Sequence, residues 1–163
     1  MLGLRCVPIG SGEGHRAGRA LLKEMVESFT HAPMPEILVT ERGKPYFAEG
    51  GLHFSISHTK GHVFCALSDR PIGIDAEELN RDISLDLARK ILSPGEFAQY
   101  EKGEDPRLAL LTFWVLKEAQ AKCSGEGLRG YPNHTAFSLE DPRVRTMDGC
   151  LVAVIEKEKE DAL

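Results

Sequence analysis

The sequence has no apolar run long enough to cross a bilayer. The longest, Leu108 to Leu116, is nine residues and includes a threonine, against the ~20 that a spanning helix needs. Cysteine is scarce, with four residues at positions 6, 65, 123 and 150 and no C-x-x-C pair. A disulfide framework is therefore not expected, and reduced thiols in a cytoplasmic protein are. Met1 to Pro8 lacks a basic stretch followed by an apolar one, so no export leader is read there. No segment repeats at a fixed period, which excludes a solenoid. Positive charge is not in excess either: 20 Lys and Arg stand against 25 Asp and Glu, a net charge of −5. That balance argues against a nucleic-acid binder, and nothing points to a membrane partner.

What is present is enough for one globular domain. The chain has 163 residues, 42% of them hydrophobic, which suits a single domain of roughly 150 residues with its own core. The charge is unevenly spread. Residues 1–72 carry 8 Lys and Arg against 7 Asp and Glu, residues 73–163 carry 12 against 18, and five of the six histidines precede residue 73. A slightly basic, His-rich first part joined to an acidic second part suits an anionic ligand held against a metal-binding face.

The pattern predicts a strand over Leu4–Ile9 and a helix capped by Ser11 and running to Phe29, with Leu21, Leu22, Met25, Val26 and Phe29 on one face. A strand follows at Glu36–Thr40 and a turn at Arg42–Pro45. His53–Ser57 alternates and, through Thr59-Lys60-Gly61, forms a hairpin with Val63–Leu67. Ile72–Glu77 is a further strand. Ser84–Leu92 reads as helix. Ser93-Pro94-Gly95-Glu96 is a capping box opening a helix to about Lys102, and Asp105-Pro106 opens the longest helix, ending near Gly125. Phe137–Leu139 and Cys150–Ile155 read as strands, and 156–163 as a charged tail. Grouped strands and grouped helices favour an α+β fold.

Three groups of residues can carry chemistry. Asp75 and Glu77, two apart on a strand, share a face and can converge on one hard cation; the same residues also read as a solvated strand end. Trp114, Glu118 and Lys122 are spaced i, i+4, i+8 on the long helix, beside Lys117. Glu118 and Lys122 read either as an ordinary i,i+4 surface pair beneath an aromatic or, because they follow an apolar segment, as partly desolvated charges, which are costly without a partner. Lys44 in its turn, with Ser57 and His58 at a strand end and Arg16 beside His15, offers cation, hydroxyl and imidazole donors for phosphate. His53 and His58 are five apart and face opposite ways on a strand, so they do not suggest a two-histidine metal site.

Taken in order, Gly43-Lys44-Pro45, Phe54-Ser55-Ile56-Ser57-His58, Pro71-Ile72-Gly73-Ile74-Asp75-Ala76-Glu77 and Trp114-x-x-Lys117-Glu118-Ala119-x-x-Lys122 resemble the 4'-phosphopantetheinyl transferases. The likeness is to the larger type that activates nonribosomal peptide and polyketide synthases. It covers about residues 14–139, with Cys150–Ile155 similar to the final strand. The resemblance implies one transferase domain over 1–163, built of two similar α/β halves related by a pseudo-twofold axis. The first half is about 1–70 and the second about 71–155, abbreviated between Glu140 and Gly149. It implies transfer of phosphopantetheine from coenzyme A to a serine of an apo acyl or peptidyl carrier protein, releasing adenosine 3',5'-bisphosphate. Asp75, Glu77 and Glu118 would hold Mg²⁺; Arg16, Lys44, Ser57 and His58 would bind coenzyme A phosphates. Glu118 is also the implied base, with Glu77 or a water as alternatives, and Lys122 lies near the pyrophosphate. A metal-dependent phosphohydrolase and a non-catalytic carrier-binding homologue are the rival readings.

Overall fold

The computed structural model describes residues 1–127 and 136–159. Its elements are β1 (Gly3–Pro8), α1 (Gly14–Thr30), β2 (Ile37–Val39), β3 (Pro45–Phe47), β4 (His53–His58), β5 (His62–Ser68) and β6 (Ile72–Glu78). A 3-10 turn (Leu85–Leu87) follows, then α2 (Ala88–Ile91), α3 (Pro94–Lys102), α4 (Pro106–Ser124), β7 (Val144–Met147) and β8 (Cys150–Glu156). Two three-stranded antiparallel sheets, β1-β5-β4 and β6-β8-β7, flank the centre, and β2 and β3 pair as a small separate hairpin.

Burial explains the arrangement. Every side chain from Val63 to Leu67 on β5 is inaccessible to solvent. Val63, Cys65 and Leu67 meet Leu21, Leu22, Met25 and Val26 of α1. The alternate residues Phe64 and Ala66 join Ile72, Ile74 and Ala76 of β6 and Cys150, Val152 and Val154 of β8 in a core between the sheets. A third core lies where α4, with Leu110, Leu111, Phe113, Val115 and Leu116, covers β8 and the short helices. A strand buried on both faces has no polar alternation to show, hence the unbroken apolar run.

Because Ile72, Ile74 and Ala76 face the central core, the period of two turns Gly73, Asp75 and Glu77 toward α4. Gly73 sets how close that helix can come: a methyl group there would overlap the backbone of Ala119 and Cys123. Gly73→Ala is therefore expected to destabilise by at least the ~1–3 kcal/mol typical of overpacking, because backbone rather than a side chain must yield. Urea unfolding would show this as a lower midpoint.

α4 begins and ends as its sequence dictates. The Asp105 side chain accepts a hydrogen bond from the Leu108 amide, and Gly125 (φ 76°) closes the helix with its amide donating to Ala121 O at 2.9 Å. The capping box is also formed: Ser93 Oγ accepts from the Glu96 amide and Glu96 Oε1 from the Ser93 amide.

Five expectations need correction. Ser11 does not cap α1; the helix starts at Gly14, with Glu13 at the cap position and no side-chain cap bond, where the absent Cβ of Gly14 leaves room for the His58 ring. Ser84–Leu92 is not one helix but a 3-10 turn and a single α-turn, since so short a pattern is held by packing of Ile83, Ala88, Ile91 and Leu92 rather than by its own bonds. Phe137–Leu139 is not a strand. Its amides at Phe137 and Leu139 donate to Glu96 Oε2 (2.9 Å) and Gln99 Oε1 (3.1 Å), so side chains of α3 satisfy this backbone in place of a ladder. The interval from Glu140 to Gly149, read as lacking strands, contains β7, joined to β8 through Asp148 (φ 49°) and Gly149 (φ 73°), the left-handed pair that a two-residue hairpin turn requires. Glu156 belongs to β8 rather than to the tail, whose residues 160–163 lie outside the described ones.

Candidate functional site

The two sheets meet where β4 runs beside β6, and serine hydroxyls make the joint. Ser55 Oγ accepts from the Ile74 amide at 3.0 Å and Ser57 Oγ from the Ala76 amide at 3.1 Å. These serines lie two apart on one face, so they meet alternate amides of β6 and stand in for the carbonyls of a neighbouring strand. Ser57 Oγ also lies 3.4 Å from Asp75 Oδ1. The predicted phosphate donor thus touches the predicted metal ligand.

Asp75 is only 6% exposed. Its Oδ1 accepts from Lys122 Nζ at 3.0 Å, and that ammonium also donates to Ile74 O at 3.0 Å. Its Oδ2 is buried with no hydrogen-bond partner. Burial pushes the carboxyl up from its ordinary 3.8 to about 6, with Lys122 pulling the other way. Glu77, two residues on, accepts from Trp114 Nε1 at 3.3 Å and is ion-paired with Arg81. Burial and then the Asp75 charge raise its pKa. Burial likewise raises that of Glu118, with Lys122 opposing and the Glu77 charge adding to the rise. The three carboxylates therefore feel one another across the seam between β6 and α4.

A hard cation suits this donor set. An unpartnered buried carboxylate oxygen is expensive, and two further carboxylates nearby supply the all-oxygen environment that Mg²⁺ prefers. Among the described residues, no three His, Cys, Asp or Glu side chains are already gathered into a metal cage. Cations of the chain hold Asp75 and Glu77 instead.

The seam opens into clefts. One of ≈ 290 Å³ is lined by Arg42, Lys44, Ser55, Glu118 and Lys122 among others. Lys44 Nζ donates to Cys123 O in the last turn of α4 at 2.7 Å, tying the β2–β3 hairpin to the helix; its burial lowers its pKa. A second cleft, of ≈ 440 Å³, includes His15 and His58 with Thr59 and Lys60. Arg16 is exposed in the first turn of α1 and is not among the lining residues of these clefts. The structure brings Ser57, Asp75 and Lys122 into direct contact and sets Glu77 and Glu118 beside them; Lys44 lines the cleft shared with Glu118 and Lys122, His58 lines the second cleft, and Arg16 lines neither.

Sequence reasoning did not single out Ser55 or Arg81 as site residues. Ser55 was legible, since it alternates with Ser57. Arg81 was not: it reaches Glu77 only because the chain turns back after β6, with the Arg81 amide donating to Glu78 O at 2.9 Å. Lys117, grouped with Glu118 by sequence, belongs elsewhere. Its ammonium lies 2.8 Å from Glu96 Oε1, with side chains 3% and 0% exposed. The pair is structural, and Glu96 also accepts from the Ser93 and Phe137 amides, so Glu96→Ala is expected to cost about 3–5 kcal/mol by breaking a buried ion pair and leaving those amides unsatisfied, read as a loss of unfolding free energy in urea.

Fold and site together define the class: an α+β protein whose two helix-backed sheets bring carboxylates and ammonium groups to one seam. The family model of the 4'-phosphopantetheinyl transferase superfamily matches residues 71–153, the segment that carries Asp75, Glu77, Glu118 and Lys122. The chain belongs to that superfamily. It is 30% identical over 134 residues to the 4'-phosphopantetheinyl transferase gsp of Aneurinibacillus migulanus, covering 80% of this chain and 55% of that protein. It is 37% identical over 93 residues to a 4'-phosphopantetheinyl transferase of Bacillus subtilis, covering 55% and 41%. With the 4'-phosphopantetheinyl transferase AcpT of Salmonella typhimurium it shares 37% over 115 residues, covering 67% and 57%. The chain spans about half the length of the curated relatives it matches. Among the described residues no helix is long and apolar enough to cross a membrane.

Proposed function

We propose that this chain transfers 4'-phosphopantetheine from coenzyme A to a serine of an acyl or peptidyl carrier protein in the cytoplasm, with Mg²⁺ as cofactor. The observation that carries the reading is Asp75, buried on a strand with one oxygen unpartnered and two carboxylates beside it. Asp75, Glu77 and Glu118 would hold the cation, which supplies charge neutralisation on the pyrophosphate when bound.

The carrier serine Oγ attacks the phosphorus that bears pantetheine. Its bond to the bridging oxygen breaks, and adenosine 3',5'-bisphosphate leaves with that electron pair. Glu118, held on a rigid helix, takes the serine proton. Burial suits it to this task, because it raises the carboxylate's proton affinity. Lys122 places a positive charge where negative charge moves toward the leaving group. Ser57, His58, Lys44 and Arg16 bind coenzyme A phosphates along the clefts. The two halves, about 1–70 and 71–155, form one transferase domain related by a pseudo-twofold axis; a long helix over a three-stranded antiparallel sheet in each supports this.

The test is incubation with coenzyme A, Mg²⁺ and a panel of apo carrier proteins, read by intact mass. A phosphopantetheine adduct on a carrier is expected; no adduct on any carrier with folded protein refutes the proposal. Free phosphopantetheine released without a carrier would point to hydrolysis instead. Lys44→Ala is expected to raise the coenzyme A concentration needed while changing the saturated rate less, as for a contact to a remote phosphate. Initial rates across coenzyme A concentrations check this, and an equal loss at saturation would contradict it.

A further inference from the structure

Arg81 is a charged side chain at the seam that neither the motifs nor the transfer chemistry accounts for. It forms an ion pair with Glu77, and its guanidinium carbon lies 5.7 Å from the centre of the Trp114 ring, whose Nε1 donates to the same Glu77 oxygen. Its charge is felt by Glu118 as well as by Glu77. It therefore acts on two of the three carboxylates that would hold the cation.

The backbone and the side chain of Arg81 are held differently. Arg107 Nη1 donates to Leu79 O at 2.6 Å and to Arg81 O at 3.2 Å, and the Arg81 amide donates to Glu78 O. The loop is pinned. The side chain is 38% exposed and, with Glu77 itself, lines a cleft of ≈ 510 Å³ that also carries the carboxylates of Glu78 and Asp82 beside Thr59, Lys60 and Asn80. A guanidinium and a divalent cation on the same carboxylate repel each other at that distance, so each weakens the hold of the other.

We propose that Arg81 is an exchangeable counter-ion for Glu77: its guanidinium occupies the carboxylate until a divalent cation arrives, then moves into the adjoining cleft while its backbone stays fixed. This rests on the reading of Asp75, Glu77 and Glu118 as the metal-holding residues. It accounts for the dispersed carboxylates, because Glu77 is neutralised without converging on Asp75 and Glu118. The cost is a weaker apparent affinity for the metal, since binding must first break the ion pair.

The experiment is titration calorimetry of Mn²⁺ into the full chain without coenzyme A or carrier, using the unaltered protein, Arg81→Gln and Arg81→Lys. Removing the charge is expected to tighten Mn²⁺ binding roughly two- to tenfold, the range of a half-exposed ion pair and its repulsion of the metal. Arg81→Lys keeps the charge and is expected to bind within about twofold of the unaltered protein on the same reasoning. Adding Asp75→Asn to Arg81→Gln is expected to abolish binding, which places the measured site. Arg81→Met serves as a second neutral variant if Arg81→Gln misfolds. Equal or weaker binding by the neutral variants, or Arg81→Lys binding as tightly as they do, would overturn the exchange while leaving the metal reading intact. No Mn²⁺ binding by any variant would overturn the metal reading and the exchange with it.

Discussion

Asp75→Asn is expected to lose phosphopantetheinyl transfer almost completely while unfolding, without metal, at the same temperature as the unaltered protein or a higher one. The loss follows from removing the most buried carboxylate of the seam. Charge stabilisation by a metal is worth several kcal/mol, which converts to roughly a thousandfold or more in rate. The retained stability follows from the proton balance. Folding raises the Asp75 carboxyl from 3.8 to about 6, chiefly by burial. A carboxyl raised in this way stabilises the folded state below its ordinary range, and that contribution disappears as pH rises through about 6. Asparagine has no such titration. In chelator, the difference in melting temperature should therefore move in the variant's favour as pH rises from 4 to above 6. Added Mg²⁺ should reverse the order near neutral pH, since only the unaltered protein binds it well. Thermal unfolding across pH, with and without metal, reads both effects. A variant that melts well below the unaltered protein at pH values above 6 in chelator would show that Asp75 serves mainly to anchor Lys122.

Glu118→Gln separates two roles of one side chain. The substitution keeps volume and hydrogen-bonding reach and removes the charge. If Glu118 both holds metal and takes the serine proton, excess Mg²⁺ should recover part of the lost activity and no more. The remainder should fall near the ~10²–10⁴-fold typical of a general base. Rates at limiting and saturating Mg²⁺, with coenzyme A and carrier saturating, make the separation. Full recovery would leave Glu118 as a ligand only and move the base to Glu77 or a water. A large drop in melting temperature in chelator would instead make it a helix anchor. That outcome is not expected, because burial already raises the cost of its charge.

How much could be read in advance differs between elements for physical reasons. The two capped helices were legible because their start signals are local: Ser93 and Asp105 each bond an amide three residues on. The β4–β5 hairpin and the strand carrying Asp75 were legible from alternation and apolar runs. The β7–β8 hairpin has a local signal as well, Asp148-Gly149. The short β3 offered less, with only three residues paired to β2. Phe137–Leu139 has a strand's composition, but its amides are satisfied by side chains about forty residues earlier, the buried Glu96 and the partly buried Gln99.

The candidate site divides along the same line. Sequence alone determined which residue types occur at which spacing: carboxylates two apart on β6, Glu118 and Lys122 one helical turn apart, and the serine pair on β4. Those depend on periods of 2 and 3.6, which are properties of the backbone itself. Only the tertiary structure decided the partners. It gave Lys117 to Glu96 instead of the seam, Lys122 to Asp75 and Lys44 to the end of α4. A buried charge needs a counter-charge within a few ångströms, and for Lys122 and Asp75 that meeting is set by how closely α4 lies on β6. That distance is set at Gly73, where the strand offers no side chain and the helix backbone comes into contact.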